Sequence, residues 1–263
     1  MSGNSEFELV TESGWRRGLS NLVNNEFGKW WKTSRWWKQS LVWMSIMGLI
    51  LVGMLFGKEP ASIGEAFMVY SIFAGVFPAV AVIITMQGAL VGEKKSGTAA
   101  WVLSKPVTRT AFILSKLIAN SLSILVTTVL LPGLVAFVIL SIRMSSVINP
   151  VQFLIALGVI FLNLMFYLSL ALMLGVFFNS RGPVVGIPLG LLFAQQYLIA
   201  FLPFLRYFLP WPLIVPLNET SNSMVANLLL GDPVSSWLPV GVIALECVLF
   251  IVLGIWRFTK EEF

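Results

Sequence analysis

The chain of 263 residues contains no histidine and a single cysteine. The first absence removes the commonest general base at neutral pH, the commonest transition-metal ligand and any Ser-His or Cys-His nucleophile pair. The second excludes an intramolecular disulfide and a thiolate metal cluster, and Cys247 itself lies inside an apolar run. A phosphate-cradling G-x-x-x-x-G-K-[ST] loop is also missing, because Gly92 to Thr98 carries its lysines too early. Carboxylates at a spacing useful for acid–base work are absent except for Glu261 and Glu262, which read as a solvated tail. No catalytic residue, no resident cofactor and no metal site is therefore expected in this chain.

Charge is scarce as well. Only 11% of residues are Asp, Glu, Lys or Arg, against about 25% in a soluble domain. What fills the chain instead is apolar: 57% of residues are hydrophobic and the mean hydropathy is +0.89. This is the composition of an all-α integral membrane protein. Its net charge of +5 follows from the lysines and arginines that membrane proteins keep on cytoplasmic loops, so no nucleic-acid partner is implied.

A membrane span needs about 20 mainly apolar residues. That criterion gives six, at 39–57, 66–91, 111–142, 151–178, 182–201 and 237–256, the core of a six-helix domain over 39–257. An even number puts both termini on one side. Arg16, Arg17, Lys29, Lys32, Arg35, Lys38, Lys94, Lys95, Lys105, Arg109, Arg181, Arg257 and Lys260 fall there, and only Lys58, Arg143 and Arg206 fall opposite. The positive-inside rule makes the N-terminus (1–38) and the tail (258–263) cytoplasmic in a multi-pass protein of the cell membrane. Residues 1–38 lack an early apolar h-region, so the first span is expected to serve as the targeting signal.

Ahead of that span, Trp15, Leu19, Leu22, Val23, Phe27, Trp30 and Trp31 recur at helical spacing, with Arg16, Arg17, Asn21, Asn24, Asn25, Lys29 and Lys32 on the other face. The pattern predicts an amphipathic elbow helix in the inner interface, in contact with membrane lipids. Trp36, Trp37 and Trp43 continue the aromatic belt into the first span. Pro78, Pro132-Gly133, Pro183 and Pro188 predict kinks. The segment 202–236 carries Pro203, Pro210, Pro212, Pro216 and Pro233 among Phe, Trp and Leu, too apolar for a water-exposed loop. Short external helices or a re-entrant element are expected, covered by protein at depth. Asn218-Glu219-Thr220 matches a glycosylation acceptor, a short pattern that recurs by chance.

Polar groups inside spans are few. Glu246, midway along the sixth, is either a proton or cation relay or a carboxyl hydrogen-bonded within the bundle. Lys116, near the inner end of the third, is expected to snorkel to the interface. Gln195 and Gln196 can line a cavity or join helices. Gly182, Gly186 and Gly190, and Gly53 with Gly57, offer smooth stripes for close helix contact, within one chain or between two.

The most polar interruption is Gly92-Glu93-Lys94-Lys95-Ser96-Gly97-Thr98, followed by Leu103-Ser104-Lys105-Pro106-Val107-Thr108-Arg109 and then Lys116. Taken alone, these residues fit an ordinary inner loop made basic by topology. They also resemble the E-x-x-x-G-T … L-L-S-x-P-[VI]-[ST]-R … K signature of ABC-2 type transporter permeases, and the layout of elbow helix, six spans and external helices is what that family leads one to expect.

The resemblance implies that the segment 92–110 holds a coupling helix docking onto a separate ATP-binding cassette ATPase, with Glu93, Lys94, Gly97, Thr98, Pro106 and Arg109 at or near the contact. It implies two copies of that ATPase, carrying the ATP and Mg, and a second permease chain, identical or related. The second and fifth spans would line the path, with Phe73, Phe77, Gln195 and Gln196 as wall residues. Their apolar character suits an amphipathic, lipid-like or hydrophobic-peptide substrate moving outward. Two other classes fit parts of the sequence: an ATPase-independent transporter or channel using Glu246, and a membrane scaffold that recruits proteins through its elbow and inner loop.

Overall fold

A computed structural model describes residues 14–144, 148–218 and 221–261. Glu219 and Thr220 of the glycosylation pattern, and Glu262, lie outside the described residues. Within them the chain is helical throughout, with no strand. After a 3-10 turn at Gly14–Arg16 come α1 (Leu19–Trp31), α2 (Arg35–Phe56), α3 (Ile63–Lys95) and the short α4 (Thr98–Leu103). The third span combines α5 (Arg109–Ile124), a π-helical turn at Leu125–Leu130 and α6 (Leu131–Met144). There follow α7 (Pro150–Phe177), α8 (Arg181–Phe201), a 3-10 turn at Pro203–Tyr207, α9 (Trp211–Ile214), α10 (Met224–Leu230) and α11 (Leu238–Thr259). Six helices are long and apolar enough to cross a membrane.

Local chemistry sets the boundaries. Ser62 and Glu65 form a capping box at α3: the Ser62 hydroxyl accepts from the Glu65 N–H at 3.2 Å, and the Glu65 carboxylate accepts from the Ser62 N–H at 2.7 Å. Asn149 caps α7 in front of Pro150, whose missing N–H is harmless at the first helical position. The expected kink at Pro132 takes the form of the π turn just before it. A proline cannot donate to the carbonyl four residues back, and the wider turn re-registers the ladder.

The central helices are α7 and α3. Apolar residues cover α7 on every side, as burial on all faces requires, and it packs against α11, α3 and α10. Where Pro78 loosens the ladder of α3, the Asn163 side chain of α7 donates to the Gly75 carbonyl at 3.1 Å. The bond ties α7 to α3 one residue from the Ala74 carbonyl, which Pro78 leaves without its helical donor. The segment between the fifth and sixth spans forms short helices that tuck inward. Ser71 of α3 donates to the Ile214 carbonyl at 2.6 Å and lies 2.9 Å from the Ser223 hydroxyl.

Candidate functional site

One pole of the bundle gathers the start of α2, the end of α3, α4, the start of α5 and the end of α11. Its most prominent feature is a knob built on Gly97, whose φ of 72° lies in the left-handed region and turns the chain out of α3 directly into α4. Lys95, Ser96, Gly97, Thr98, Ala100, Trp101, Ser104, Lys105 and Pro106 are exposed, while Ala99 is buried. Trp101 is 65% exposed, and the Lys105 ammonium lies 5.1 Å from its ring centroid. The Ser96 and Thr98 hydroxyls are 2.8 Å apart across the turn.

The knob is anchored on two sides. Toward the N-terminus, the Thr108 hydroxyl donates to the Trp15 carbonyl at 2.6 Å and its N–H to the Arg17 carbonyl at 3.1 Å. Gly18, at φ 80°, leaves room for Val107, which any Cβ there would strike. Toward the C-terminus, Arg109 donates to the Thr259 carbonyl at 2.8 Å, a favourable place for a cation at the end of α11.

Glu93 and Lys94 are turned inward. Lys94 pairs with Glu261 at 2.7 Å and donates to the Val176 carbonyl at 2.9 Å and the Asn179 side chain at 3.2 Å, tying α3 to the end of α7 and to the tail. Glu261 is thus an anchored residue, not the solvated tail its position suggested, because Lys94 offers it a partly buried partner.

Glu93 belongs to a closed ring of alternating charge. Glu26 Oε1 accepts from Lys29 at 2.7 Å and from Lys116 at 3.0 Å. Glu93 accepts from Lys29 at 2.7 Å through Oε1 and from Lys116 at 2.7 Å through Oε2. The Lys116 ammonium also lies 4.7 Å from the Phe112 ring centroid. Lys116 is only 1% exposed, so it does not snorkel: two carboxylates meet it inside, and reaching for water would break both pairs and leave them to share Lys29 alone. Trp30 is buried beside this ring and donates its indole N–H to Asn120 at 3.1 Å, while Asn120 donates to the Lys116 carbonyl at 2.7 Å. Phe27 is half-buried, and Trp15 and Trp31 are exposed. The elbow helix is thereby fixed to α5 by polar bonds as well as by its apolar stripe.

Glu26, Asn120 and Trp101 stand outside the residues that the sequence singled out. Glu26 left a trace: spacing Val23, Glu26, Phe27, Trp30 sets it within the apolar stripe of α1, where a lone carboxylate calls for a buried partner. Trp101 also left one, as a large apolar side chain in a polar turn segment.

Along the bundle, Phe73 and Phe77 stack at 4.7 Å. Phe77, Ile84 and Gly88 are exposed on one face of α3. Gln195 is fully buried. It donates to the Tyr167 hydroxyl at 2.7 Å and the Leu192 carbonyl at 3.1 Å, and accepts from the Trp211 N–H at 3.1 Å, so it braces α7, α8 and α9. Gln196 is exposed beside it. Gly182, Gly186 and Gly190 are exposed on α8 with open space before each, and Gly53 is likewise free, so these stripes make no close contact within the described residues. Glu246 is half-buried, and its Oε2 has no hydrogen-bond partner among the described residues.

Six membrane-length helices, with an exposed knob and a charge-locked elbow at one pole, define a multi-pass membrane protein. Over residues 12–263 the chain matches the model of the family described as "ABC-2 family transporter protein", and it belongs to that family. It is a transmembrane subunit of an ABC transporter. None of the curated proteins compared with it matches.

Proposed function

We propose that this chain is the permease subunit of an exporter whose energy comes from two separate ATP-binding cassette ATPase subunits, which carry the ATP and Mg. The pole bearing the knob faces the cytoplasm of a cell-membrane protein, and the ATPase grips α4 and its flanks. The observation that carries this reading is the knob itself: Thr98, Trp101, Lys105 and Pro106 project outward from a turn fixed to the elbow by Thr108 and to α11 by Arg109. Tryptophan is among the residue types enriched in binding hot spots, and Trp101 stands exposed. A push on α4 passes to α1, α5 and α11 without slack.

A second permease chain completes the path. The open glycine stripe of α8 and the exposed Gln196 and Tyr197 support close helix contact with that chain. Exposed Phe77 of α3, stacked on half-buried Phe73, supplies an apolar wall suited to an amphipathic, lipid-like or hydrophobic-peptide cargo. Nucleotide-driven closure of the ATPases then favours one arrangement of the spans over another. The decisive experiment is co-purification of the chain with a cassette ATPase. Trp101→Ala should abolish capture while leaving the permease monodisperse and membrane-inserted; unchanged capture and unchanged ATPase stimulation would overturn the assignment.

A further inference from the structure

Between α1, the start of α2 and the knob-side half of α3 lies a cavity of about 560 Å³, walled by Lys29, Trp30, Arg35, Gln87, Gly88 and Glu93 among others. Its polar groups are unevenly satisfied. Glu26, Lys29, Glu93 and Lys116 neutralise one another in the closed ring. Gln39, also on the wall, spends its amide on Thr128 at 3.1 Å. Arg35 is exposed, and its guanidinium has no partner among the described residues. Gln87 Oε1 is buried and accepts no hydrogen bond. The cavity therefore carries one uncompensated positive charge and one acceptor in want of a donor.

Its position selects the source of a ligand. Trp30 lines it, and Trp31, Trp36 and Trp37 are chain neighbours of the lining residues Trp30 and Arg35, together a tryptophan belt of the kind that marks headgroup level in a bilayer. Ile84, on its wall, is exposed and leads along α3 to Phe77, an apolar track for an acyl chain. We propose that this cavity is a headgroup site for a membrane phospholipid whose phosphodiester pairs with Arg35 and whose head donates a hydrogen bond to Gln87.

Ethanolamine and glycerol heads carry such a donor. Choline does not, and neither does a fatty-acid carboxylate. A single negative charge matches the single surplus cation, and the guanidinium suits a phosphate geometrically. The site stands independently of any ATPase.

The test uses the purified full chain in detergent, delipidated and examined by native mass spectrometry with phosphatidylethanolamine, phosphatidylglycerol or phosphatidylcholine. The first two should be retained at about tenfold lower concentration than the third, the discrimination expected of one charged or buried hydrogen bond. Arg35→Gln should weaken all three. Gln87→Leu should erase the preference over phosphatidylcholine. Gly88→Phe, at a position with open space before its Cβ, should block retention without lowering thermal stability. Equal retention of phosphatidylcholine by the unaltered chain would overturn the proposal, and so would full retention by both Arg35→Gln and Gly88→Phe. Displacement of the lipid by equimolar glycerophosphoethanolamine would assign the cavity to a water-soluble phosphodiester and overturn the lipid assignment. Because no ATPase is present, failure here leaves the coupling role of the knob untouched, and failure of ATPase capture leaves this site untouched.

Discussion

Lys116 Nζ, on α5, lies 2.7 Å from Glu93 Oε2 at the end of α3. The contact joins the last polar turn before the knob to the first helix after it, and Glu26 adds the elbow to the same cation. Removing one partner of a buried ion pair leaves the other charged and desolvated, at a cost of about 3–5 kcal/mol. Lys116→Met should therefore lower the thermal unfolding temperature of the purified chain clearly. Glu93→Gln combined with Lys116→Met should lose less than the two single losses added together, because the double variant leaves one cation, Lys29, facing one carboxylate, Glu26, and restores the charge balance of the ring. Strict additivity would show that the pair is not coupled.

Lys29 adds a pH dependence. Burial works against its charge, but hydrogen bonds from its ammonium to Glu26 and Glu93, with their electrostatic attraction, outweigh this and raise its pKa above the usual 10.5. A raised pKa means stability that is fully present below the unfolded value of 10.5 and lost as pH climbs through the folded value. The stability difference between the unaltered chain and Lys29→Gln should stay constant through neutral and mildly alkaline pH and shrink only above 10.5. Unfolding temperatures of both across that range check the sign.

Gly97 controls the knob through its backbone. Open space faces its Cβ position, so any penalty of substitution comes from φ 72° alone, about 1–2 kcal/mol for an ordinary L-residue. Asn tolerates that region and Val does not. In a reconstituted complex, Gly97→Asn should keep ATPase stimulation and Gly97→Val should lose most of it, with the fold intact in both.

Gly75 seats the inward-tucked segment. A Cβ there would lie 2.6 Å from Ile214 side-chain atoms. Overpacking of this kind costs about 1–3 kcal/mol. Gly75→Val should destabilise the chain and expose the stretch from Trp211 to Asn218 to protease, and adding Ile214→Ala should restore protection. Protection unchanged in Gly75→Val would mean that the segment is held elsewhere.

Hydrophobic run length, helical spacing of apolar residues and proline placement were local quantities. They made the six membrane-length helices, the elbow helix on its Trp and Leu stripe, and the short helices between the fifth and sixth spans legible from the sequence alone. The knob segment was legible too, as a glycine-turned polar interruption. Which way its side chains point was not. Glu93 and Lys94 look like surface residues in a row of charges, yet both turn inward, because Lys116 is 23 residues away and Glu261 is 167 residues away, and only the packing of α5 and the tail brings them close. Gln195 and Gln196 are neighbours in sequence, but the helical twist of about 100° per residue buries one among α7 and α9 and exposes the other. The sequence determined which segments must leave water. The tertiary structure decided which charges found each other once there, since a buried ion pair depends on partners whose approach no local pattern encodes.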